Sequence, residues 1–150
     1  MTFTISFSVR APLATTWRAL LDIPEVVHCL PGVELTEVIS ERSYAGKADL
    51  HLGPLRVSYR GVLQIEEVEE QQSHTVRMRA RSDRGREASA TVRARLIEAG
   101  EVTTVVMNIE VKESRILTRF GPRSMIGMAA QRMSERFAAC LERRLGAMPA

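Results

Sequence analysis

Residues 77–96 read RMRARSDRGREASATVRARL. Every second residue falls into one of two sets. Arg77, Arg79 and Arg81, then Arg93 and Arg95, form the first; Met78 and Ala80, then Ala88, Ala90, Val92, Ala94 and Leu96, form the second. Such alternation marks strands with one wet face and one covered face. Asp83-Arg84-Gly85 supplies the turn between them. The stretch therefore predicts a hairpin in an antiparallel sheet whose outer face is rich in arginine. The covered face is mostly alanine, so either a helix packs very close to it or space is left there for another molecule.

The same period extends outward in both directions. Ala99-Gly100 is a turn into EVTTVVMNIEV, the last strand. Upstream, SHTVRMRARS follows LRVSYRGVLQIEEV, in which Leu55, Val57, Tyr59, Leu63 and Ile65 point inward. Gly53-Pro54 is a tight turn from SYAGKADLHL, with Tyr44, Ala48, Leu50 and Leu52 on one side and Lys47, Asp49 and His51 on the other. VELTEVI precedes it, and FTISFSV, with Phe3, Ile5, Phe7 and Val9 on one face, opens the chain. Turns at such short intervals predict a meander.

Two short helices interrupt the pattern after the first strand. Pro12 suits a helix start, and Leu13, Trp17, Leu20 and Leu21 make an apolar stripe. Pro24 begins PEVVHCL, which Pro31-Gly32 stops. From about Phe120 the period returns to 3.6, with Ile126, Ala130, Met133, Phe137, Cys140/Leu141 and Leu145 on one stripe and an end at Gly146 and Pro149. The order β-α-α-β-β-β-β-β-β-α over residues 1–150 predicts a single α+β domain: a curved antiparallel sheet of about seven strands around one long C-terminal helix, the helix-grip architecture.

Composition excludes several classes. Hydrophobic residues make up 45% and charged residues 26%, ordinary for a globular domain, and the formal charge of +3 does not by itself call for nucleic acid. Neither a secretory leader nor a ~20-residue apolar run is present, so a cytoplasmic protein is expected. Cys29 and Cys140 form no CxxC pair and read as buried free thiols in a reducing compartment. His28, His51 and His74 are scattered without metal spacing, and no nucleophile elbow, phosphate loop or dinucleotide fingerprint occurs. Neither a metal nor a catalytic residue is expected. Cys29 beside His28 does not make a catalytic pair, because neighbours on a helix diverge by about 100°.

LLDIPEVVHCLPGVEL (20–35), YAGKADLHLGPLRVSYRGVLQI (44–65), SDRGREASATVRARL (82–96) and FGPRSMIGMAAQRMSERFAACLE (120–142) resemble, in order and over almost the whole chain, the carbon monoxide dehydrogenase G-subunit family of the START-like, polyketide-cyclase-like superfamily. The resemblance implies the helix-grip fold with a hydrophobic cavity between sheet and long helix. It implies an accessory protein rather than a redox catalyst, serving molybdenum-containing carbon monoxide dehydrogenases or related oxidoreductases at the inner face of the cell membrane. It also implies a quinone-binding or quinone-delivering role. Longer members carry a C-terminal extension that can attach to membrane; this sequence departs from them by ending at GAMPA.

The expected ligand cavity follows from both readings. Its walls are Tyr44, Leu50, Leu52, Val57, Tyr59, Met78, Ala80, Ala88, Ala90, Val92, Met107 and Ile109 from the sheet, and Met125, Met128, Ala129, Met133 and Phe137 from the helix. Methionine adapts to irregular apolar partners, and Tyr44 and Tyr59 are the candidates for the few polar contacts such pockets carry. No cofactor is expected beyond a quinone or another apolar lipid as ligand. Arg77, Arg79, Arg81, Arg93 and Arg95, with Arg56 and Arg60, are expected to face outward, where they can dock an acidic oxidoreductase subunit or the membrane surface. RNA is disfavoured, because no aromatic platform stands among them. The leading expectation is a non-catalytic apolar-ligand binder, monomeric or homodimeric. The alternatives are a cyclase or hydrolase of hydrophobic substrates in the same cavity and a docking module without one.

Overall fold

The computed structural model describes residues 2–52, 55–112 and 123–147. In chain order these form β1 (Thr2–Val9), α1 (Leu13–Leu21), α2 (Ile23–Val26) with a 3-10 turn (Val27–Cys29), β2 (Val33–Ser40), β3 (Ser43–Leu52), β4 (Leu55–Glu69), β5 (Ser73–Ser82), β6 (Glu87–Ala99), β7 (Val102–Lys112) and α3 (Arg123–Ala147). The seven strands make one open antiparallel sheet in the order β1-β7-β6-β5-β4-β3-β2. The helix-grip expectation holds, down to a β5 that spans the same residues as SHTVRMRARS. The Gly53-Pro54 turn, the expected helix start near Phe120 and Pro149 lie outside the described residues.

Side chains of successive strands stack in rows across the inner face, as the pleat requires. Leu96, Val105 and Phe7 form one row, and His74, Ala94, Met107 and Ile5 the next. Most of these are sealed: Val105 is fully buried, and Ala94, Leu96, Phe7, Ile5 and His74 are buried. Trp17 of α1 and Ala138 and Leu141 of α3 close over this end. A buried aromatic of this size removes about 150–250 Å² from water, so Trp17 is the largest single contribution to the core. A second cluster joins Ile23, Tyr44 and Ile65.

α3 packs chiefly against β1 and the 3-10 turn. Its buried positions are Ser134, Ala138 and Leu141, with Phe137 set edge-on against Phe7 at 5.6 Å between ring centres. The stripe is thus rotated from the apolar one read in the sequence. Ser134 can be buried because its hydroxyl donates to the Gln131 carbonyl at 2.7 Å. Gln131 in turn donates to the Ser6 carbonyl at 3.0 Å, the Arg10 backbone N–H donates to Glu142 at 2.8 Å, and Arg144 pairs with Glu25. That guanidinium holds the Glu25 carboxyl below its ordinary range.

The expectation of free thiols is overturned. Cys29 on the 3-10 turn and Cys140 on α3 are joined in a disulfide across 111 residues of sequence, with Cα atoms 5.6 Å apart. The bond ties the C-terminal half of the helix to the short helices.

Further along the sheet the rows thin out. Met78 and Ala90 oppose each other, and the row beyond runs Gly46–Gly61–Ala80–Ala88 across four strands. A Cβ built on Gly61 would lie 2.1 Å from the Arg79 carbonyl oxygen and 2.8 Å from the Ala80 Cβ; one on Gly46 would lie 2.8 Å from the Glu34 carbonyl oxygen. Glycine is required where backbones approach this closely, so the close approach of β4 to β5 and the band of missing side chains coincide.

Candidate functional site

The inner face changes character along its strands. At the Trp17 end it is sealed. At the other end Met78, Ala80, Ala88 and Ala90 are only half-buried, as are Val76, Val92 and Ile109 between the two ends. The alanine question therefore has two answers. Ala94, 4% exposed and in the cluster with Trp17, serves close packing. Ala80, Ala88 and Ala90 are half-buried, and with Gly46 and Gly61 they make a trough of small side chains along this end of the inner face. Along β5 the six steps from His74 to Ala80 span about 20 Å at roughly 3.3 Å per residue.

Several expected wall residues lie elsewhere. Met128 is 60% and Met133 46% exposed. Met128 stands about 120° round the helix from buried Ser134 at 100° per residue, so it faces solvent. Tyr44 is buried on the inner face, in the row of Leu63, Met78 and Ala90, and its hydroxyl donates to the Glu41 carbonyl at 2.9 Å. Burial raises its pKa. Tyr59 and Phe137 are half-buried, and Met107 packs on the main cluster. The side chains of Leu50, Leu52, Val57, Met125 and Ala129 lie outside the described part of the structure.

The polar group that sequence reasoning missed is His74. It shares inward parity with Val76, Met78 and Ala80, which is the signal that marks it. It is 4% exposed, its ring sits edge-on to Trp17 at 5.5 Å, and its Nδ1 is buried without a hydrogen-bond partner. Burial alone lowers its pKa below 6.5; no carboxylate acts on it among the described residues. The native imidazole thus resists a proton that the unfolded chain accepts below about pH 6.5, so stability must fall as pH drops through 6.5 toward the lowered native value. Urea melts between pH 7.5 and 5.5 should show this loss, with a slope of at most about 1.4 kcal/mol per pH unit for one proton. His74→Leu should flatten the profile; an unchanged profile would mean that His74 titrates normally.

The arginine face is partly neutralised. A bulge in β4 between Glu66 and Glu69, with Glu67 at φ +49°, lets Glu66 and Glu67 both serve the outer face. Arg77 pairs with Glu66 and, at 3.3 Å, with Glu67; Arg93 reaches Glu67 at 3.3 Å and Arg81 reaches Glu87 at 2.7 Å. The Thr75 hydroxyl, then Arg77 and Arg93, hold the Glu67 carboxyl below its usual range, and Glu66 first, then Glu67, raise the pKa of Arg77. Arg77, Arg81 and Arg93 are therefore not the free docking charges expected from parity. Arg60, Arg79 and Arg95 are exposed, with no carboxylate partner among the described residues. Among those residues, too, there is no cluster suited to a metal ion and no helix long and apolar enough to cross a membrane.

Comparison with known proteins gives a consistent picture. The family model described as CoxG, the G-subunit of carbon monoxide dehydrogenase, matches residues 6–146. No curated protein matches the chain. Among solved structures, a conserved protein from Geobacillus kaustophilus superposes with a TM-score of 0.82 at 15% identity, covering 97% of this chain and 95% of its own. A Thermus thermophilus protein does so at 0.66 and 18% identity over 100% of both chains. An aromatase/cyclase from Streptomyces sp. R1128 does so at 0.65 and 14% identity, covering 98% and 96%. At such identities these structures establish the shared fold.

Proposed function

The chain belongs to the carbon monoxide dehydrogenase G-subunit (CoxG) family, and from that premise we propose that it is a non-catalytic binder of an apolar ligand, an isoprenoid quinone, serving a carbon monoxide dehydrogenase-type oxidoreductase. One observation carries the reading: the inner face of the sheet is left half-covered over Met78, Ala80, Ala88 and Ala90 while its other end is sealed. Protein interiors pack densely, so apolar surface left half-covered beside a row of glycine and alanine is suited to a separate apolar molecule. The trough is long enough for a ring with a short isoprenoid tail. His74, whose Nδ1 is buried without a hydrogen-bond partner on the same strand face as Val76 and Met78, is the candidate polar contact for a quinone carbonyl. His74 also supports a binding role over a cyclase role, because acid–base chemistry relies on a second group to orient and tune the imidazole.

The test combines ligand and substitution. Short-chain ubiquinone and menaquinone analogues should raise the melting temperature of lipid-free protein; at a hundredfold excess over Kd the gain is about 2.7 kcal/mol. In Ala90→Phe the ring enters the trough. Its unliganded stability should stay within about 1 kcal/mol of wild type, since buried apolar area offsets crowding, and the quinone-induced shift should vanish. A failure of every quinone to shift the wild type counts against the ligand. A strongly destabilised Ala90→Phe counts against the open trough.

A further inference from the structure

The outer face behind the trough holds a second concavity. Arg60, Arg81 and Glu87 align across β4, β5 and β6, and Arg79, Ser89 and Lys112 align across β5, β6 and β7. The two rows enclose a hollow of about 590 Å³. Four cations and one carboxylate line it, with Ser89 and with Ala80 and Ala88 of the trough. Arg81 is answered by Glu87 at 2.7 Å and Lys112 by Glu110 at 3.5 Å. Arg60 and Arg79 have no carboxylate partner among the described residues, so the hollow keeps an excess of positive charge.

We propose that this hollow binds a phosphate group, with Arg60 and Arg79 as its principal ligands and Lys112 and the Ser89 hydroxyl beside them. Two unanswered guanidiniums match a dianion better than a single carboxylate, and the planar fork of arginine fits phosphate oxygens in pairs. The hollow is wider than inorganic phosphate, so it leaves room for the rest of a larger phosphate-bearing molecule. Arg79 lies between Met78 and Ala80 on one strand, so its guanidinium stands on the face opposite the Met78 side chain, while Ala80 and Ala88 border both the hollow and the trough.

Titration of the isotope-labelled full chain with inorganic phosphate and pyrophosphate at constant ionic strength tests this through the backbone amides of Arg79, Ala80, Ala88 and Ser89. A parallel arm uses vesicles of phosphatidylcholine with and without phosphatidylglycerol, followed by co-sedimentation. Saturable shifts with the soluble anions that weaken at least tenfold in Arg60→Gln/Arg79→Gln, and less than twofold in Arg95→Gln, support a site for a free phosphate compound. Binding to the phosphatidylglycerol vesicles alone, with the same dependence on the two variants, supports a lipid-borne phosphate. The proposal is overturned if neither arm responds, or if Arg95→Gln weakens binding as much as the double variant, since binding would then follow overall charge.

Discussion

Reduction of the Cys29–Cys140 bond is expected to lower the free energy of unfolding by roughly 2–5 kcal/mol. The bond spans 111 residues and so encloses six of the seven strands in one covalent ring. A crosslink over a chain of this length removes much of the freedom of the unfolded ensemble, and the loss grows only slowly with further length. The geometry adds a local effect: the bond lies on the same stretch of α3 as the Glu25–Arg144 pair and buried Leu141. The clean comparison is urea unfolding of the wild type with and without reductant, because the thiols stay in place and only the crosslink is lost. Cys29→Ser/Cys140→Ser should be at least as unstable as the reduced protein and indifferent to reductant. Equal midpoints for oxidised and reduced wild type would show that the bond does not support the fold.

Gly61→Val should cost roughly 3 kcal/mol or more, at the upper end of what overpacking produces. The new Cβ would fall 2.1 Å from the Arg79 carbonyl oxygen and 2.7 Å from the Ala80 Cα. Both are backbone atoms of β5, so no rotamer change relieves the clash; β4 must move away from β5 and give up ladder hydrogen bonds. Gly146→Ala is the control. Nothing lies within 4 Å of its Cβ, and alanine in the last helical turn should be neutral or stabilising by about 0.5–1 kcal/mol. Thermal unfolding of the two variants should separate them widely; similar melting temperatures would mean that β4 and β5 do not approach closely at Gly61.

The contrast between strands and pairings shows what the sequence made legible. Alternation in 73–96 was enough to place the β5–β6 hairpin, because one buried face imposes a strict period of two. In β4 it held as far as Ile65; beyond that the bulge breaks the period and brings Glu67 to the outer face to answer Arg77 and Arg93, which alternation alone does not show. The band Gly46–Gly61–Ala80–Ala88 is invisible along the chain, since its members meet only when four strands are in register. On α3, hydropathy favours methionine over serine, yet Ser134 is buried and Met133 exposed. The local bond to Gln131 satisfies the hydroxyl, and packing against β1 decides the rest. The cysteine pairing depends on that same docking. Of the site, the small residues of the inner face were readable and its buried imidazole was not singled out, although parity alone placed it there.

The uneven sealing of the inner face gives the sheet two local stabilities. Opening a segment costs in proportion to the buried contacts it gives up, so a domain unfolds in parts at different free energies. Around His74, Ala94 and Leu96, Trp17 and α3 cover the strands, and separation there approaches global unfolding. Around Ala80, Ala88 and Ala90 only small, half-buried side chains would be exposed, and excursions are cheap. The chain can therefore breathe at one end of β5 and β6 while the other stays shut. A molecule passing over Ala88 would need only that small fluctuation, with the crosslinked helix still in place.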